Sequence, residues 1–469
     1  MPADSADKQP AQASTHLTPD PLAATEAGTR HGGDERGRGR ARKLLGALVV
    51  DVTPLRVSRD FRLLYAGQTV SFFGSMMTFV ALPWQVYHLT KSSFAVGMMG
   101  IVEFVPILLM AFVGGALADY VDRRRMVLWT DFLLTVGTGV LIVNSLLPQP
   151  RVWVLFFCAA LFAALNGLQR PSLDALIPRL VPPELMPSAS ALKSLGGSTG
   201  MIVGPALGGL LVVTFGPALA YSLDLLTFVV SLVALWMMRA VPPPPDADRP
   251  SVRSVVEGLR YARSRPELMG TYLVDINAMF FGMPMALFPA IAEGHGGGAA
   301  VGLLYAAPAV GSLCATLTSG WTRRVRRHGR AVAFAAAGWG LAIIGFGFAT
   351  DLWLALICLA LAGGADMVSG LFRQTIWNQT IPDYLRGRLA GIEMVSYTTG
   401  PLLGNAEAGV AASLFGVRAS IVSGGVLCVL GTGLLALALP AFIRYDGREG
   451  LRRKQEEESA RLAALGQAG

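Results

Sequence analysis

The chain has 469 residues, of which 53% are hydrophobic and only 15% charged, with a mean hydropathy of +0.51 and a formal net charge of +8. So apolar a composition excludes a soluble globular protein, which would lack enough polar surface to stay in water. The basic excess does not indicate a nucleic-acid partner either: the arginines are spread over many loops instead of one face, and no nucleic-acid-binding signature accompanies them.

Residues 1–58 read as a disordered, basic, cytoplasmic tail; the first 43 are polar and lack the apolar core of a signal peptide. Twelve apolar runs follow, near 61–86, 94–118, 126–147, 152–176, 189–214, 217–238, 267–291, 299–321, 330–350, 352–379, 389–414 and 417–443. Each is long enough to cross a bilayer as a helix. Of the 39 Lys and Arg residues, only Lys91, Arg151 and Arg418 fall on odd-numbered connections. Cytoplasmic loops retain positive charge, so an inner-membrane protein with both termini inside is expected. The fold class is all-α and polytopic, in two six-helix halves.

The halves are expected at 59–240 and 266–445, joined by a cytoplasmic linker, 241–265, with a charged cytoplasmic tail at 446–469. The linker opens on Pro242, Pro243, Pro244 and Pro245. It continues into an amphipathic surface helix over 251–264, with Val252, Val255, Val256 and Leu259 opposite Arg253, Glu257, Arg260 and Arg263. Internal repetition supports the division. Residues 115–125 align with 320–330, and Gly204-Pro205 in span five is echoed by Gly400-Pro401 in span eleven. Parallel halves of this kind place a substrate site between them near midplane.

The segment Gly114-Gly115-Ala116-Leu117-Ala118-Asp119-Tyr120-Val121-Asp122-Arg123-Arg124-Arg125 resembles the loop motif of the major facilitator superfamily. Gly115 permits tight helix packing, while Asp119 at a helix end can face a neighbouring helix N-terminus and cationic side chains. Gly115, Asp119, Arg123 and Arg124 are therefore the expected cytoplasmic gate, although the arginines could simply enforce topology. In the second copy Arg324 stands in the place of Asp119, so only the first keeps an acidic latch. Gly204, Pro205, Gly400 and Pro401 are candidate hinges, in helices that proline weakens. The glycine spacing of span five is similar to that of drug-exporting antiporters, though close packing explains such spacing equally well.

Acidic groups inside a span are costly unless paired, neutral or wet, and so default to functional candidates. Counting residues from the span ends puts Glu103 and Asp275 near midplane, and these lead the proton-coupling candidates, with Asp366 and Glu407 behind them. Asp224 lies shallower, and Asp131 and Glu393 sit where structural salt bridges are expected. Substrate-cavity candidates are Arg170, Arg373, Gln85, Asn277 and Phe281; for the two arginines, snorkelling and pairing with Asp174 or Asp131 is the favoured reading and attraction of an anionic substrate the alternative. Cys158, Cys314, Cys358 and Cys428 fall within spans and read as packing residues, so no disulfide or metal site is expected. No nucleophile cluster and no phosphate-binding glycine loop is present, so no enzyme activity and no cofactor are expected.

A wider resemblance rests on several segments together: the loop motif, Val301-Gly302-Leu303-Leu304-Tyr305-Ala306-Ala307, the proline linker, Thr380-Ile381-Pro382, and Phe281-Gly282-Met283-Pro284 after Asp275. Over about residues 59–443 the chain resembles the enterobactin exporter family of the major facilitator superfamily. Macrolide and multidrug antiporters are similar too. The resemblance implies a proton-driven, alternating-access exporter of a catecholate siderophore or related amphipathic molecule, powered by the proton gradient and working as a monomer. A multidrug/proton antiporter is the first alternative and a non-transporting membrane sensor the remote one. Asn405 and Glu407 in span eleven depart from the small or apolar residues expected there.

Overall fold

The structure is a computed structural model describing residues 51–118, 121–241, 259–295, 297 and 299–466. The N-terminal tail before residue 51 and the proline linker therefore lie outside the described residues. Of the expected linker helix, residues 259–264 are described and helical.

Val52–Gly469 forms one unit. Its long helices are α1 (Arg59–Thr90), α2 (Ser93–Ala118), α3 (Arg123–Leu146), α4 (Val152–Leu180), α5 (Met186–Phe215) and α6 (Pro217–Trp236), then α7 (Pro266–Phe281), α8 (Ala299–Leu317), α9 (His328–Phe348), α10 (Leu352–Thr380), α11 (Arg386–Phe415) and α12 (Val417–Ala438). A charged helix, α13 (Gly447–Gly466), follows. Ten of the spans are apolar enough throughout to cross a membrane by composition alone. The exceptions are α1 and α11, at 32 and 30 residues long enough for about 45 Å but more polar. They carry Gln68, Thr78 and Gln85, and Ser396 and Asn405, which hydrogen-bond to neighbouring helices and do not face lipid alone.

The same pairings recur in each half. In the first, α1 packs on α5 and α6, α2 on α4, and α3 on α4 and α6; in the second, α7 packs on α11 and α12, α8 on α10, and α9 on α10 and α12. Across the halves, α2 packs on α11 and α5 on α8. Glycines allow those crossings. A Cβ on Gly97 would lie 2.9 Å from the Gly409 Cα, and one on Gly302 would lie 2.5 Å from the Pro205 carbonyl oxygen. The repeated Gly-Pro pairs are also close approaches: a Cβ on Gly204 would strike Met76 of α1, and one on Gly400 would strike Met279 of α7.

The seventh span differs from expectation. The continuous helix expected over 267–291 stops at Phe281, turns through a 3₁₀ segment, Met285–Leu287, and resumes as Phe288–Gly294. Pro284 lacks the N–H a helix needs, and the freed backbone groups are satisfied from three other spans. Trp339 of α9 donates to the Gly282 carbonyl at 3.0 Å. Tyr305 of α8 donates to the Met285 carbonyl at 3.0 Å, and Asn405 of α11 accepts from the Ala286 N–H at 3.0 Å. Asn405, anomalous in sequence, thus has a backbone to cap.

Beyond the bundle, α13 packs against α10, and Glu457 pairs with Arg265 and accepts from Tyr261 at 3.2 Å. Tyr445 shares a 3.1 Å hydrogen bond with Thr380, and burial pushes its phenol up to about 12, so it remains protonated.

Candidate functional site

Among the described residues, the densest charge cluster inside the bundle joins α7, α10 and α11. Asp366 and Arg373 are seven residues apart on α10, two turns along one helical face. Arg373 is 9% exposed; its Nη1 pairs with Asp275 of α7, and its Nη2 meets Asp366 Oδ1 at 3.5 Å. Ser396 of α11 donates to Asp275 at 3.4 Å. Arg373 Nε is buried with no partner. Asp275 is 5% exposed, whereas the Asp366 side chain is 40% accessible, so the cluster is closed on one side and open on the other. Glu393 on α11 lies within electrostatic reach of Arg373. Two carboxylates compete for one guanidinium, and a change in the protonation or ligation of either shifts the other's hold on it.

The remaining coupling candidates stand apart. Glu103 on α2 and Glu407 on α11 are half-buried, and neither makes an ion pair or side-chain hydrogen bond among the described residues. Tyr305 lies within electrostatic reach of Glu103, which places Glu103 close to α8 of the opposite half. The sequence treated Asp275, Asp366 and Arg373 as separate candidates; the fold brings them together and leaves Glu103 outside.

The other cavity candidates have structural partners. Gln85 is 3% exposed, donates to Ser145 at 3.0 Å and accepts from Tyr221 at 2.9 Å. Asn277 donates to the Cys428 carbonyl at 2.9 Å and to Thr432 at 3.2 Å, tying α7 to α12. Phe281 packs edge-on against Phe280, with centroids 5.0 Å apart, and against the second-half core. Arg170 is exposed and near Tyr397 of α11, so it faces the opposite half. It does not take Asp174, which pairs with Lys193 at 2.5 Å.

Asp131 corrects the expectation of a salt bridge. It is 1% exposed and accepts from Gln68 at 3.1 Å, Ser231 at 2.7 Å and Gln169, with no cation among its described partners. Asp224 similarly accepts from Thr78 at 2.5 Å. A signal for the first network was present: Gln68 and Asp131 lie nine and eight residues from the N-termini of α1 and α3, and Gln169 and Ser231 eleven and five from the C-termini of α4 and α6, ends that share one side of the bundle.

Of the gate motif, Gly115 lies in the last turn of α2, and Asp119 is outside the described residues. Arg123 donates to the Ala175 carbonyl at 3.2 Å. Arg124 donates to the Leu235 and Trp236 carbonyls at 2.7 and 2.6 Å, capping the exposed C-terminal carbonyls of α6. Asp122 caps α3 through the Arg125 N–H at 3.2 Å. These contacts sew the first half together at one end. At the opposite end, Lys91 pairs with Glu293 at 2.5 Å, linking the α1–α2 connection to the end of the seventh span.

The model of the transmembrane secretion effector family matches residues 50–457. The chain belongs to that family. It is a multi-pass membrane transport protein with the major facilitator fold, not an enzyme. This transporter is 29% identical over 391 residues to an enterobactin exporter of Citrobacter koseri, covering 83% of this chain and 94% of that one. It is likewise 29% identical to the enterobactin exporter of Shigella boydii serotype 18, over 85% and 96% of the two chains. Among solved structures it is similar to a bacterial homologue of the human lysosomal transporter Spinster, captured inward-facing and unoccupied, with a TM-score of 0.66, 17% identity and coverage of 83% and 98%. A POT-family peptide transporter superposes with a TM-score of 0.67 at 13% identity over 82% and 95%. Both show the shared fold.

Proposed function

We propose that this transporter is a proton-coupled secondary exporter of a small amphipathic molecule, a catecholate siderophore such as enterobactin being the leading substrate. It would act by alternating access as a monomer in the inner membrane, with both termini cytoplasmic. The observation that carries this reading is the Asp275–Arg373–Asp366 cluster, a buried guanidinium shared by two carboxylates, one of them accessible. Charges at such depth are costly to retain without a role. A proton arriving on either carboxylate releases part of its hold on Arg373, which can then turn toward oxygen-rich ligand groups. Substrate departure and proton loss restore the pair. The enterobactin exporters that this chain resembles supply the substrate class and direction.

The conformation supports a loading state. The close backbone crossings of α2 on α11 and α5 on α8 lie at the end that carries Lys91 and Glu293. By the loop-charge rule that end faces outward, so the closed side is outside and a cytoplasmic substrate would enter from the other. Glu103 and Glu407, carboxylates without a partner in partly apolar surroundings, favour a second reading, export of cationic amphipathic drugs or macrolides by a proton antiporter.

Inside-out vesicles test the proposal. An acid interior should drive uptake of a catecholate siderophore, and a protonophore should abolish it. Asp275→Asn and Asp366→Asn should each remove dependence on the gradient while retaining substrate binding. Normal gradient-driven uptake by both variants sinks the coupling role. Uptake of macrolides or cationic dyes but no siderophore establishes the second reading, and uptake of neither would leave only a non-transporting sensor.

A further inference from the structure

The substrate reading leaves unused a groove of about 930 Å³ on the outer face of the second half. It runs between α8 and α9, with α10 as its floor. Small residues, among them Gly311, Ala315, Gly338 and Gly364, hollow it out. Phe334 of α9, 77% exposed, forms a lip, and Leu361 on the α10 floor is 63% exposed, so the groove opens away from the bundle. On α8 it extends from Val310 to Thr318 and on α9 from Arg330 to Gly338, about 12 Å along the axis. That is close to one leaflet of the hydrocarbon core, about 15 Å.

One end of this groove is charged. Arg327 and Arg330 line its mouth beside Trp321. Both arginines are exposed, and neither makes a side-chain hydrogen bond or ion pair among the described residues. Arg327 also precedes the first turn of α9, whose free N–H groups favour an anion. These residues belong to the second copy of the loop motif. The first copy spends Arg123 and Arg124 on backbone carbonyls of its own half, whereas the second has lost its acid to Arg324 and offers Arg327 and Arg330 to solvent.

We propose that the α8–α9 groove is a binding site for an anionic phospholipid. Its acyl chain lies along the floor formed by α10, and its phosphate is held by Arg327 and Arg330. Three features select this occupant. The length is that of one leaflet, the lining is apolar to the mouth, and the charge sits where a headgroup would be. A basic pocket between spans at the membrane surface is the kind of site acidic headgroups occupy. The site is independent of the Asp366–Arg373 cluster, because its α10 lining, Ile357, Leu361, Gly364 and Val368, lies on the helical face opposite those two residues.

Native mass spectrometry of the delipidated full-length protein, titrated with phosphatidylglycerol or with phosphatidylcholine of the same chains, tests this. Phosphatidylglycerol should fill one saturable site ahead of phosphatidylcholine. Arg327→Ala/Arg330→Ala should weaken it about 25-fold, about fivefold per arginine, with phosphatidylcholine unaffected. Arg323→Ala/Arg324→Ala removes the same charge outside the groove and should change binding less than about twofold on the same scale. Gly338→Leu should weaken both lipids by filling the groove from its α9 wall. A Cβ there meets only Ala365, at an ordinary 3.8 Å, so the fold should tolerate it. As an independent readout, phosphatidylglycerol should slow maleimide modification of Cys314, which is exposed in the groove. Equal losses in the two arginine pairs, no protection of Cys314, or displacement of the lipid by inorganic phosphate alone would each overturn the proposal.

Discussion

Replacing Arg373 with Met removes the one cation paired with Asp275 among the described residues while keeping most of the side-chain volume. In the native protein Asp275 is 5% exposed, and its other hydrogen bond is a long 3.4 Å contact from Ser396. Breaking a buried ion pair on one side costs about 3–5 kcal/mol, chiefly from the charge left behind. For a cooperative unit the size of one six-helix half, at about 2–4 °C per kcal/mol, the melting temperature should fall by roughly 10 °C. The double variant Arg373→Met/Asp275→Asn should regain at least half of that loss, because no unpaired charge remains deep in the site and Asp366 keeps its accessible side. Tryptophan fluorescence melts of the detergent-solubilised wild type, both single variants and the double variant complete a double-mutant cycle. If Arg373→Met melts with the wild type, or the two substitutions simply add, the ion pair does not hold α7 to α10 as described.

Three further outcomes follow from particular contacts. Trp339→Phe removes the donor to the Gly282 carbonyl and should lower stability by about 1–3 kcal/mol, seen as a lower melting temperature; an unchanged melt would mean the broken span satisfies itself another way. Gly302→Val forces a side chain against the Pro205 carbonyl and should part α5 from α8, lengthening the spin-label distance between positions 91 and 293; an unchanged distance would show that this crossing does not close that end. The Lys91–Glu293 pair is about half exposed, so Glu293→Ala should alter stability by less than about 1 kcal/mol, while Lys91→Glu should lower the population closed at that end and Lys91→Glu/Glu293→Lys should restore it, read from spin labels at the neighbouring exposed positions Leu89 and Gly294.

The spans were legible because a bilayer demands about 20 apolar residues per crossing, a constraint written locally in the chain. Even boundaries held closely: 94–118 was expected and Ser93–Ala118 formed, and 352–379 became Leu352–Thr380. The repeat was legible for a similar reason, since the paired Gly-Pro sites meet equivalent methionines, Met76 and Met279, in equivalent helices. The family model matches across that whole pattern of spans, residues 50–457. The partners of the buried polar groups were not legible. Asp275 and Arg373 are 98 positions apart, and Asp131 meets Gln68 and Ser231, 63 and 100 positions away. Hydropathy reports how deep a residue lies but not which way it points around its helix. Only packing chose between a cation for Asp131 and three neutral donors. Packing also decided that Asn405 would cap the break at Pro284, that Arg123 and Arg124 would bind carbonyls, and that Arg327 and Arg330 would stand at the mouth of a groove.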